Sequence, residues 1–133
     1  MNGYLERLEA AAIEAKISLL HAFARMEGFY ANLAQPDIPE RDHNPGDICD
    51  GPFAQAQSGY AGHDGRFARF VTDEAGFAAM RTLLAGPRYR GKTIAEVVAV
   101  YAPPNENDTK RYVALVCAWT GLPASTVIDG YLA

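Results

Sequence analysis

Residues 4–27 carry two parallel apolar stripes at helical spacing. Leu5, Leu8, Ala12, Ala15, Leu19, Ala22 and Met26 recur every three or four residues. Ile13, Ile17, Leu20, Ala24 and Glu27 form a second row at the same rhythm. With Phe23 between the rows, the later part of this helix is apolar over much of its circumference. A helix of that kind is covered on several sides, so the rest of the chain must wrap around it. Gly28 supplies the stop, because glycine takes the left-handed conformation that often ends helices. The second row thus closes on a carboxylate, Glu27, on the face expected to be buried.

The remainder of the chain divides in two. Residues 29–65 show little periodicity and are broken by Pro36, Pro39, Pro45 and Pro52 and by Gly46, Gly51, Gly59, Gly62 and Gly65. A stretch this long without regular structure is commonly functional. Arg66-Phe-Ala-Arg-Phe-Val71 reads as a short strand, expected to pair with part of 47–60. Thr72-Asp73-Glu74 opens a helix over 74–85, and the capping-box pair Thr93 and Glu96 opens another over 94–101. Asp108 or Thr109 caps a third, 110–120, and Ser125 is placed to cap a last short turn. No repeat or linker interrupts the 133 residues, which predicts one domain over 1–133. The class expected is α+β, mainly α: a buried first helix, a small strand-bearing lobe and a C-terminal helical lobe.

Composition removes some functions. Hydrophobic residues at 49% and charged residues at 21% describe a chain able to bury a core. The net charge of −4 argues against nucleic acid as a partner, and no apolar run reaches membrane-spanning length. The first residues lack a basic segment followed by an apolar one, so synthesis in the cytoplasm without a signal peptide is expected. Cys49 and Cys117 are few and far apart, which favours a reduced setting. His43, His63, Asp64 and Cys49 follow no zinc spacing, so neither a metal nor a cofactor is expected.

The order of parts resembles the lysozyme-like superfamily of peptidoglycan glycosidases. The likeness is to phage- or prophage-associated muralytic domains and to the flagellar-type N-acetylglucosaminidases. It rests on Glu27-Gly28 ending a buried helix, then Arg41-Asp-His-Asn-Pro-Gly-Asp-Ile48, the strand Gly65-Arg-Phe-Ala-Arg-Phe70, the helix opening Asp73-Glu-Ala-Gly-Phe77, and Tyr101-Ala-Pro-Pro-Asn-Glu-Asn-Asp-Thr109. These span roughly residues 17–122. The Gly-Leu-Met-Gln-type turn of the transglycosylases is absent, and Asp47 stands where asparagine is common.

The resemblance implies cleavage of peptidoglycan glycan strands, by hydrolysis or by lytic transglycosylation. Glu27 would be the general acid, since burial among apolar groups keeps a carboxyl protonated. The second carboxylate lies among Asp37, Glu40, Asp42, Asp47 and Asp50, with Asp47 and Asp42 preferred because the resemblance puts a turn near the cleft there. Tyr30, Asn44, Tyr60, Tyr101 and Asn107 are the expected sugar contacts, against the ordinary alternatives of turn formation, capping and core packing. The implied partners are glycan strands, without nucleic acid or membrane, and a virion or secretion-machinery component that brings the chain to the wall. The alternative function is an inactive phage or prophage structural domain that binds wall glycan or a protein. The basic cluster Gly86-Pro-Arg-Tyr-Arg-Gly-Lys92 reads either as a solvated loop or as a contact for anionic wall polymers.

Overall fold

The computed structural model describes residues 16–29, 38–105 and 107–133. Its elements are α1 (Leu19–Met26), α2 (Ile38–Arg41), α3 (Pro52–Gln55), β1 (Tyr60–Asp64), β2 (Phe67–Phe70), α4 (Asp73–Leu84), α5 (Ile94–Tyr101), α6 (Thr109–Thr120) and a 3₁₀ turn at Ile128–Tyr131. The class is mixed α+β and mainly helical. No helix among the described residues is long and apolar enough to cross a membrane.

Among the described residues, the expected helix begins only at Leu19, after non-helical chain that its apolar rhythm does not predict. Ser18 is extended (φ −68°, ψ 160°), and its hydroxyl accepts a hydrogen bond from the His21 N–H at 3.2 Å. Residues 16–18 therefore approach the helix as non-helical chain, and Ile17 N–H donates to the Trp119 carbonyl at 3.1 Å. The local cap outweighs the continuing stripe. The part of the expected helix before Lys16 lies outside the described residues. From Leu19 the expectation of burial holds: Ala22, Phe23 and Ala24 are fully covered. The helix packs against α6 and α4. Glu27 is its C-cap, and Gly28 follows at φ 98°.

The irregular segment is held by Asn44. Its amide nitrogen donates to the Ile48 and Ala68 carbonyls, both at 2.9 Å, and its oxygen accepts the Ile48 N–H at 2.9 Å. This buried side chain adds to backbone bonds that join the segment to β2, the Ala68 N–H to the Ile48 carbonyl at 3.0 Å and the Asp50 N–H to the Arg66 carbonyl at 2.7 Å. β1 and β2 form a two-stranded antiparallel sheet, pairing Tyr60 with Phe70 and Asp64 with Phe67, irregular between Tyr60 and His63. The strand expected at 66–71 is present, but its partner is 60–64. Within 47–59 the sheet gains only an isolated bridge, Cys49 to Phe67. Gly76 has a steric reason: a side chain there would collide with the His43 carbonyl oxygen. That close approach seats the first turn of α4 on the 43–46 turn.

The helical lobe follows its capping signals. Thr72 caps α4, Thr93 and Glu96 complete a reciprocal capping box on α5, and Asp108 caps α6, which ends at left-handed Gly121 (φ 76°). Ser125 does not cap the final turn, which begins after Val127 with no side-chain cap. That turn is secured instead by the Ile128 N–H donating to the Lys92 carbonyl and by Asp129 accepting the Gly91 N–H, each at 3.0 Å. Leu19, Phe23, Met80, Leu84, Ile94, Val97, Val98, Val116 and Ile128 form the core shared by these helices.

Candidate functional site

Because Glu27 caps α1, its side chain leaves the helix just where the buried face ends. Two elements reach it. α6 carries Tyr112, Val116 and Thr120 on its buried face, and the Tyr112 hydroxyl donates to Glu27 Oε2 at 2.9 Å. α5 ends at Tyr101, whose hydroxyl donates to the Gly46 carbonyl and ties the helical lobe to the 44–47 turn. That turn presents Asp47 with left-handed backbone (φ 52°), a conformation Asp tolerates better than most residues.

Between the two lobes runs an open groove of about 570 Å³. Its strand-bearing wall includes Asp47, Cys49, Asp50, Phe53, Arg66 and Phe67, and its helical wall includes Glu27, Arg88, Tyr89, Tyr101 and Asn107. Burial pushes the Glu27 carboxyl from its ordinary 4.5 up to about 7. The Tyr112 hydrogen bond pulls it down, and the negative charge of Asp47 pushes it up further. Near neutral pH this group populates both the protonated and the ionised form, the condition for giving and receiving a proton. Burial also drives the Tyr101 and Tyr112 hydroxyls well above their usual range, with the Glu27 charge adding to it, so both remain hydrogen-bond donors.

The expected site residues separate into distinct groups. Glu27, Asp47, Tyr101 and Asn107 line the groove together, joined by Asp50 and Phe53. Tyr60 is not among the lining residues; its hydroxyl donates to Asp50 Oδ1 at 2.6 Å and so fixes a residue that is. Asn44, expected at the sugar, is fully buried and has both ends of its amide committed to the fold. Asp42, expected as an alternative second carboxylate, is likewise buried at 1% exposure and away from the groove lining. Its Oδ1 lies 3.5 Å from Arg69 Nε and 3.9 Å from Arg41 Nε, while Arg41 binds Asp64 at 2.7 Å. Burial raises the Asp42 carboxyl, with Asp64 adding to the effect and the two arginines opposing it. Tyr30, Asp37 and the Glu40 side chain lie outside the described residues. Among those residues, no group of three or more His, Cys, Asp or Glu side chains is placed to hold a metal ion.

Tyr112 and Arg66 were not singled out from the sequence as site residues, and Arg88 and Tyr89 only as members of the basic segment 86–92. Tyr112 left a trace there: with Val116 and Thr120 it sits at four-residue spacing on one face of the helix. A tyrosine on a buried face needs a partner for its hydroxyl. No protein-family model, curated protein or solved structure matches the chain.

Proposed function

We propose that this chain cleaves the glycan strands of peptidoglycan, as a glycoside hydrolase or a lytic transglycosylase, on a lysozyme-like arrangement of lobes. The observation that carries the reading is Glu27: a helix-terminal carboxyl beside an open groove, with its titration moved by burial to about 7. A glycan strand lying in the groove brings a glycosidic oxygen to Glu27, which donates its proton as the bond to the leaving sugar breaks. The Tyr112 hydroxyl stabilises the carboxylate left behind. Asp47, on the other wall, is the second carboxylate. It steadies positive charge on the sugar and, in a hydrolase, serves as base for water or as nucleophile. In a transglycosylase the muramyl 6-hydroxyl attacks the anomeric carbon instead and gives its proton to the Glu27 carboxylate left by the first step, so no second base is needed. Phe53 and Tyr101, each partly exposed, offer ring surface to the sugars. At the wall, the protein would arrive by export or aboard a virion.

Turbidity loss of purified cell-wall sacculi, followed by mass spectrometry of the released muropeptides, tests the reading and separates reducing from anhydro products. Soluble products are expected from the native chain and none from Glu27→Gln. Equal lysis by both proteins would remove Glu27 from the chemistry. Binding of sacculi without lysis by the native chain would make the protein a wall-binding module.

A further inference from the structure

A second hollow, of about 510 Å³, lies between the first half of α1 and α4 and shares no described lining residue with the groove. Along it α4 places Asp73, Phe77 and Arg81, whose four-residue spacing sets them on one helix face. Their chemistry runs in order: carboxylate, ring, guanidinium. Glu74 adds a second carboxylate at the start of the helix. The Phe77 ring is held in place, since His21 stacks on it at 4.5 Å between centroids and Phe29 meets it edge-on at 5.6 Å. The fold uses only part of the charged groups. Asp73 Oδ1 lies 2.8 Å from His43 Nδ1, and Arg81 Nε donates to the Leu132 carbonyl at 2.7 Å. Neither contact takes Asp73 Oδ2 or the two terminal nitrogens of Arg81, and among the described residues Glu74 enters no ion pair. Asp73, Glu74 and Arg81 are all exposed.

We infer that this hollow docks an extended segment of a partner protein carrying a cation, an apolar residue and a carboxylate at alternate positions. The cation meets Asp73 and Glu74, the apolar side chain lies on Phe77, and the carboxylate meets Arg81. The lengths agree. Asp73 and Arg81 stand about 12 Å apart along the helix axis. Alternate positions of an extended chain face one way, and the outer two of three such positions stand about 13 Å apart. Guanidinium groups bind carboxylates through paired N–H donors, and opposite charge at the two ends fixes the register of the segment. This docking and glycan cleavage use separate residues, so either can fail alone.

The full chain is titrated with a capped peptide, acetyl-Lys-Ser-Leu-Ser-Glu-amide, and with its neutral counterpart, acetyl-Gln-Ser-Leu-Ser-Gln-amide. Binding is followed by the NMR signals of the His21 and Phe77 rings. The charged peptide is expected to move those signals and to bind about three- to tenfold more tightly than the neutral one, a margin that shrinks with salt. Arg81→Gln should remove the advantage of glutamate over glutamine in the peptide. Glu74→Lys should make acetyl-Glu-Ser-Leu-Ser-Glu-amide bind better than it binds the native chain, a gain that a damaged fold would not produce. Equal affinity for the charged and neutral peptides overturns the inference, as do shifts at the Glu27 groove in place of the two rings. Binding only by peptides with free termini overturns it as well, since the occupant would then be a small peptide and not a protein segment.

Discussion

Two carboxyls in this molecule, Glu27 half-buried and Asp42 fully buried, teach different lessons. Glu27 and Asp42 are both raised by burial, and both come from positions a sequence reader would choose for catalysis. Around Asp42 stand Asp64, hydrogen-bonded to it, and Arg41 and Arg69. This cluster joins α2 to the sheet, and the Asp42 carbonyl also accepts the Phe70 N–H at 2.9 Å. Around Glu27 the described residues offer one neutral donor, Tyr112, and an open groove. Asp42 is enclosed by the fold among two arginines and a second carboxyl, whereas Glu27 is half-buried and opens on a groove, where its proton is available to a visitor.

The sharpest way to break this contrast is to neutralise each acid in turn. Glu27→Gln should lower sacculus lysis by about 10²- to 10⁴-fold while raising stability at pH 8. The sign follows from linkage. The folded-state pKa, about 7, lies above the ordinary 4.5, so the fold binds the proton more tightly than the unfolded chain does. Native stability therefore falls as pH rises from about 4.5 to 7, and levels off above that. Denaturant titrations should show the variant gaining up to ~3 kcal/mol over the native chain at pH 8, and nothing at pH 4. Asp42→Asn has two opposed effects: it removes a raised carboxyl, which favours the fold above its ordinary titration range, and it removes the partner of Arg41 and Arg69, which costs stability. The net change in stability should stay within about 1 kcal/mol, because the arginine contacts are half-exposed and screened. Lysis at a temperature where the variant is folded should stay within about twofold of native. A large catalytic loss in folded Asp42→Asn would erase the distinction.

Smaller effects refine it. Tyr112→Phe removes the bond that holds the Glu27 titration down, so the alkaline limb of the pH–activity profile should move to higher pH, with about 1 kcal/mol of stability lost. Asp47→Asn removes a charge that pushes Glu27 up, and should move the same limb slightly downward. Its effect on kcat then separates a base or nucleophile from a charge that only tunes the acid.

The parts of the fold written in short-range code were legible. Thr72, Thr93 with Glu96, and Asp108 each mark a helix start through bonds spanning three residues. Ser18 marks one too, but the apolar stripe runs past it in both directions and hides the cap. Glu27 stood out because a carboxylate on an apolar row is locally anomalous. Asn44 and Asp42 read as site residues because turn chemistry and site chemistry use the same side chains. What distinguishes them is partners up to 27 residues away, at Ile48, Ala68 and Arg69. Arg66 was hidden for the same reason, and Arg88 showed only as part of a basic segment, since lining a wall is a property of the assembled chain.

The contact between Glu27 and Tyr112 spans 85 residues of sequence. Until the helix bearing Tyr112 docks, position 27 sits in water and behaves as an ordinary glutamate, ionised at neutral pH. The reactive proton is thus acquired by completing the tertiary structure, and a nascent or truncated chain ending before residue 112 would carry the acid without its potency. Titration of this one carboxyl is then a gauge of maturation, reporting from the molecule's interior that its last large helix has arrived.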